Sequence, residues 1–137
     1  MGRWLLKSDP DTYSFHDLAR DRTTVWDGVT NPVALKNIRA MKHGDDAFVY
    51  HTGKERAIVG LATIASDPYP DPKDATGRLV VMKLEARGPL ARPVTLEEMK
   101  GARALAGWDL FRLGRLSIVP VTDAQWKAVM AMAARKA

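Results

Sequence analysis

Cysteine is absent from the 137 residues, which removes disulfides, iron–sulfur clusters, thiolate zinc sites and a thiol nucleophile together. Histidine is scarce. His16, His43 and His51 share no metal-ligand spacing and have no thiolate to join them, so no metal and no cofactor are expected. Nor is there an apolar run long enough to cross a bilayer. The opening Trp4-Leu5-Leu6 is bounded by Arg3 and Lys7, too short for the apolar region of a signal peptide. These absences predict a protein without membrane contact in a reducing, cytoplasmic setting. A Gly-x-Ser-x-Gly elbow, a glycine-rich phosphate loop and internal repeats are missing too.

What is present is an ordinary globular balance, with 46% hydrophobic and 27% charged residues, enough for one domain over 1–137. The net charge of +5 makes a polyanion a reasonable partner, because neutralising phosphates releases counterions. Arg3 to Lys7 reads as a strand closed by the turn cluster Ser8-Asp9-Pro10-Asp11. Ser14 to Asp17 has capping-box spacing and opens a helix to about Arg20. Asn31-Pro32 starts another, with Ala34, Ile38 and Met41 on an apolar stripe, Lys36, Arg39 and His43 opposite, and a stop at His43-Gly44.

Strands follow at Asp46–Thr52, at Ala57–Ala65 (apolar enough to be covered on both faces) and at Leu79–Arg87, where alternation predicts one wet face. Asp67 to Pro72, with prolines at every second position, reads as a loop. Thr95 to Glu98 repeats the capping-box spacing, Arg115–Val121 is a last strand, and Thr122 caps a terminal helix whose apolar face is Trp126, Val129, Met130 and Ala133. Short strands interrupted by short helices predict an α+β fold, a small, mostly antiparallel barrel whose closure would remove exposed edges.

No catalytic constellation stands out. Ser8 beside Lys7 points to the opposite strand face, and the paired acids Asp9/Asp11 and Asp45/Asp46 read as solvated turn residues. Trp26 differs from Trp4, Trp108 and Trp126, which read as core, because the Asp27-Gly28 turn follows it at once; core packing and pocket wall are both open for it. His51, beside Tyr50 at a strand end, is equally open between a satisfied imidazole and a ligand contact. Cations on one helix face near a stacking aromatic are what recognition of a single-stranded or flipped base requires.

Trp4-Leu5-Leu6-Lys7-Ser8-Asp9-Pro10, Tyr13-Ser14, Trp26-Asp27-Gly28-Val29, Asn31, Arg39-Ala40-Met41-Lys42, Gly44-Asp45, Tyr50-His51 and Ile58-Val59-Gly60 together resemble the EVE domain family. Tyr69-Pro70-Asp71-Pro72, Pro93 to Leu96 and Arg115 to Val121 extend the likeness to practically the whole chain. The resemblance implies a PUA-like mixed β-barrel with peripheral helices, related to YTH and ASCH domains. It also implies a non-catalytic, monomeric module that binds DNA or RNA carrying a modified base, methylated or hydroxymethylated, in an aromatic-walled pocket.

On that pattern Trp26 is a pocket wall, Ser8 and Asn31 meet the base edge, and Tyr50 and His51 lie at the mouth or floor. Lys7, Lys36, Arg39 and Arg115 are assigned to phosphates on charge and placement. The segment after Trp26-Asp27 departs from the family's Gly-Val-Arg-Asn-Tyr-Gln-Ala-Arg-Asn, reading Gly28-Val29-Thr30-Asn31-Pro32-Val33-Ala34-Leu35-Lys36. Two alternatives remain: a small ASCH-type hydrolase of modified nucleosides, and a small-molecule or protein-interaction module.

Overall fold

The computed structural model describes residues 2–135. Strand β1 (Arg3–Ser8) leads through a turn to helix α1 (Phe15–Asp21), then β2 (Thr23–Trp26) and α2 (Pro32–Arg39). β3 (Asp46–His51), β4 (Ala57–Ile64), the two-residue β5 (Tyr69–Pro70) and the long β6 (Val80–Thr95) follow. α3 (Leu96–Lys100), a 3₁₀ turn, α4 (Asp109–Arg112), β7 (Ile118–Pro120) and α5 (Asp123–Ala133) complete the fold. The strands form one curled sheet in the order β2-β6-β4-β3-β1-β7, with β5 added to β6. Among the described residues β2 and β7 do not pair; α2 packs against both β6 and β7 and covers the interval. The result is a mixed, PUA-like half-barrel carrying short helices.

The helices begin where side chains satisfy orphan backbone donors. Ser14 and Asp17 form a reciprocal capping box on α1, Asn31 Oδ1 accepts from the amides of Val33 and Ala34, and Thr122 and Gln125 form a second box on α5. α2 ends at Arg39, earlier than the predicted His43. His43 therefore lies outside the helix, its amide donating to the Asp67 carboxylate at 2.9 Å.

β1 and β3 run parallel, Arg3 opposite Asp46 through Ser8 opposite His51, while the other pairs are antiparallel. A parallel pair needs a long crossover, and residues 9–45 with α1, β2 and α2 supply it. Asp45 clamps its start. Expected as a solvated turn acid, it is instead buried, with only 2% exposure. Its carboxylate accepts from the Gly2 amide, the Trp4 indole N–H and the Lys42 amide, each at 3.0 Å. A Cβ on Gly2 would sit 2.6 Å from that carboxylate, so the clamp requires glycine there.

β4 buries one face and leaves Val59, Leu61 and Thr63 partly exposed, so it is covered on one side more than the predicted two. β6 runs on past Arg87 to Thr95. Register shifts opposite Gly88 and Pro89 form bulges that absorb both residues where a regular ladder would have stopped. Tyr69 and Pro70, expected in a loop, pair with Val81 and Val80, an edge position that proline tolerates. The last strand is limited to Ile118–Pro120, and α5 buries Met132 where Met130 was expected.

Replacing Asp45 by Ala is expected to cost about 3 kcal/mol, chiefly because the buried Trp4 N–H loses its only acceptor. Urea unfolding measures it; Asp45→Asn, with one acceptor oxygen left, should fall between, and a loss of under about 1 kcal/mol for Asp45→Ala would refute the clamp.

Candidate functional site

The parallel ladder delivers the end of β1, Lys7 and Ser8, to the same side as β2. Between them opens a cavity of about 460 Å³. Its walls are the β1 end, the turn residues Asp9, Thr12 and Tyr13, and the consecutive stretch Thr24 to Val29. Consecutive lining residues mean that the edge of β2, more than one face of it, forms a wall. Among the described residues β2 pairs only with β6, through Trp26 opposite Met82, so its other edge keeps unpaired backbone donors and acceptors. Gly28, at φ +78°, permits the turn that follows Trp26; a side chain there would meet nothing, so the backbone angle is the constraint.

Trp26 is both core and wall. It is 9% exposed, packed in the hydrophobic core, and lines the cavity. The Trp4 and Trp108 indoles donate to Asp45 and to the Pro120 carbonyl, whereas the Trp26 N–H has no protein acceptor among the described residues. Tyr13 is the second aromatic in the lining. Its hydroxyl donates to Asp21 at 2.9 Å, and burial holds its pKa above the usual value.

Ser8 donates its hydroxyl proton to the Tyr13 carbonyl, which closes the β1–α1 turn and leaves the oxygen only as an acceptor. Lys7 is half-buried. Its ammonium donates to the Gly114 carbonyl at 2.9 Å and sits 5.8 Å from the centre of the Tyr50 ring, and burial lowers its pKa.

The other expected residues lie elsewhere. Asn31 spends its carbonyl oxygen on the α2 cap and borders a separate groove with Val33, Leu113 and Arg115. Tyr50 faces a neighbouring cavity. His51 is buried with both ring nitrogens engaged: Nε2 accepts from the Phe15 amide at 2.9 Å, and Nδ1 meets Glu55 at 2.7 Å. That geometry fixes the Nδ1–H tautomer and makes His51 the peg that docks α1, in place of the expected mouth residue. Lys36 and Arg115 are exposed, and Arg39 donates to the Arg78 carbonyl at 2.7 Å. None of Lys36, Arg39 and Arg115 lines the Trp26 cavity. No cluster of metal-ligating side chains occurs among the described residues, and no helix is long and apolar enough to cross a membrane.

The EVE domain family model matches residues 2–132. The chain belongs to the EVE domain family. Human thymocyte nuclear protein 1 is 30% identical over 94% of this chain and 72% of its own length. A Rhodopseudomonas palustris protein solved by NMR superposes with a TM-score of 0.93 at 39% identity, covering 97% of this chain and 93% of that one. The human THYN1 protein, crystallised in complex with 5-methylcytosine-containing DNA, superposes with a TM-score of 0.93 at 29% identity over 100% of both chains. An ASCH protein from Zymomonas mobilis, with a TM-score of 0.59 and 10% identity, shares the fold.

Within this EVE domain, sequence reasoning missed Thr12, Tyr13, Thr24 and Val25 as lining residues. Tyr13 had a signal: an aromatic directly after the Asp9 turn must emerge where β1 ends. Thr24 and Val25, β-prone residues with no turn or charge pattern of their own, carried none.

Because Trp26 supports the core, Trp26→Ala should destabilise by about 3 kcal/mol or more, while Trp26→Phe keeps most of the burial and folds. Equal urea midpoints for Trp26→Ala and the parent chain would contradict this double role.

Proposed function

We propose that this EVE domain is a non-catalytic reader of a methylated base in DNA, holding the extruded base in the cavity beside Trp26. The observation that carries the reading is the cavity itself. Its volume, about 460 Å³, lies within the range of roughly 300–1,000 Å³ that small-ligand sites occupy. Trp26 and Tyr13 offer π surfaces for a flat ring, and the free edge of β2 offers backbone donors and acceptors for the polar edge of a base. Extrusion costs a few kcal/mol of unstacking, and stacking on an aromatic returns about 1–3 kcal/mol, so edge hydrogen bonds and phosphate contacts supply the remainder.

The complex of the human relative with 5-methylcytosine DNA supports the same ligand class here. The titratable groups of the lining support a binding role over a hydrolytic one. Lys7 is turned to the Gly114 carbonyl, and Asp9 accepts from the Asp11 amide at 2.9 Å within its own turn. The Ser8 hydroxyl keeps its proton in a hydrogen bond to the Tyr13 carbonyl, and among the described residues no base is bonded to it. The net charge of +5 suits a phosphate polymer.

Burying one methyl group is worth about 0.8 kcal/mol, so DNA with a 5-methylcytosine should bind about fourfold tighter than its plain counterpart. Fluorescence anisotropy at two salt concentrations checks this: affinities should fall together with salt while their ratio holds. Equal affinity for methylated and plain DNA would overturn the reading. Chromatographic appearance of a new nucleoside would favour a hydrolase instead.

A further inference from the structure

Lys7 lines two cavities. Beyond the Trp26 cavity it borders a second, of about 210 Å³, which also meets Tyr50, Thr52, Arg56 and Lys100. Among the described residues no carboxylate lines this second cavity. Lys7, Arg56 and Lys100 form no ion pair among the described residues, whose pairs involve other cations. Three cations with no direct ion-pair partner around one small cavity give it a positive potential that suits an anion.

Tyr50 is the second observation. The residue is only 4% exposed overall, and its hydroxyl, still reached by solvent, makes no hydrogen bond to the described residues and is free to donate into the cavity. Burial raises its pKa and the nearby Arg56 charge pulls it down, so the phenol stays a proton donor with positive charge beside it. Arg56 itself is held at φ +43°, a conformation rare for a non-glycine residue, while its carbonyl accepts the Leu96 amide at 2.8 Å.

We propose that this second cavity is the phosphodiester subsite next to the extruded base, with Lys7, Arg56 and Lys100 supplying charge and the Tyr50 hydroxyl a hydrogen bond. This rests on the base-reader assignment, because Lys7 joins the two cavities and so sets the phosphate one step from the base. The strand then runs along the β3–β4 turn and α3, away from Lys36 and Arg39 on α2. Arg56 and Lys100 also border a third cavity, lined by Lys54, Glu55 and Glu97, whose two carboxylates end the cationic track after one or two phosphates.

The test uses the full chain and short duplex DNA with and without a central 5-methylcytosine. Arg56→Gln with Lys100→Gln should weaken binding to both DNAs roughly tenfold and flatten the slope of log affinity against log salt by about 2. The methylated-to-plain ratio should stay unchanged. Tyr50→Phe should weaken both about fivefold with the slope preserved. Lys73→Gln with Lys127→Gln removes the same charge from residues that line none of these cavities, and should flatten the slope far less. An unchanged slope in the Arg56/Lys100 variant, or an equal flattening in the Lys73/Lys127 variant, overturns the subsite even if methyl preference persists. Absence of methyl preference in the parent chain overturns the base reading, while a slope loss confined to the Arg56/Lys100 variant on plain DNA would still uphold the subsite.

Discussion

The parallel pairing of β1 with β3 is the constraint from which the rest of the molecule follows. It is held at its start by the Asp45 carboxylate and at its end by the Thr52 amide, which donates to the Ser8 carbonyl at 2.9 Å. Because the two strands point the same way, their C-terminal ends, Lys7-Ser8 and Tyr50-His51, lie side by side at one end of the sheet. The crossover they require, residues 9–45, returns β2 to the far side of the sheet and leaves its edge open beside the end of β1. Both cavities lie at this junction, and Lys7 is the side chain they share.

A site at an unpaired strand edge draws on two resources at once. The edge supplies polar backbone groups without the cost of burying unsatisfied side chains, and the neighbouring core supplies an aromatic ring already held rigid. Trp26 embodies the second. Its ring is ordered by packing before any ligand arrives, so little conformational entropy remains to be lost on binding. On the proposed reading the same economy ties base recognition to stability, since weakening the Trp26 wall also weakens the core.

Much of this was legible in the sequence, for local reasons. Ser14, Asn31 and Thr122 announced their helices because caps act within a few residues, and the alternation from Val80 to Arg87 announced its strand for the same reason. The Trp26-Asp27-Gly28 turn and the neighbouring Ser8 were likewise readable, and they meet in one cavity. What escaped depends on partners distant in the chain. Asp45 looked like a turn acid until Trp4, 41 residues away, gave it an indole donor. Gly88-Pro89 looked like a strand end until bulges opposite β4 accommodated it. His51 stayed open between a satisfied imidazole and a ligand contact until the Phe15 amide engaged its ring. Family likeness assigned Asn31 and Tyr50 to the same pocket as Trp26; the fold distributes them over three adjoining hollows.

The central claim is that the base sits against Trp26, and nuclear magnetic resonance of the ¹⁵N-labelled chain tests it most directly. The four tryptophan indole N–H signals report on separate places: Trp4 is tied to Asp45, Trp108 to the Pro120 carbonyl, and Trp126 lies stacked on Phe48. Titration with a 5-methylcytosine oligonucleotide should move the Trp26 indole signal and the amides of Thr24 to Val29, and leave the Trp4 and Trp108 indoles in place. An oligonucleotide that binds without moving any signal from Thr24 to Val29 would contradict the account.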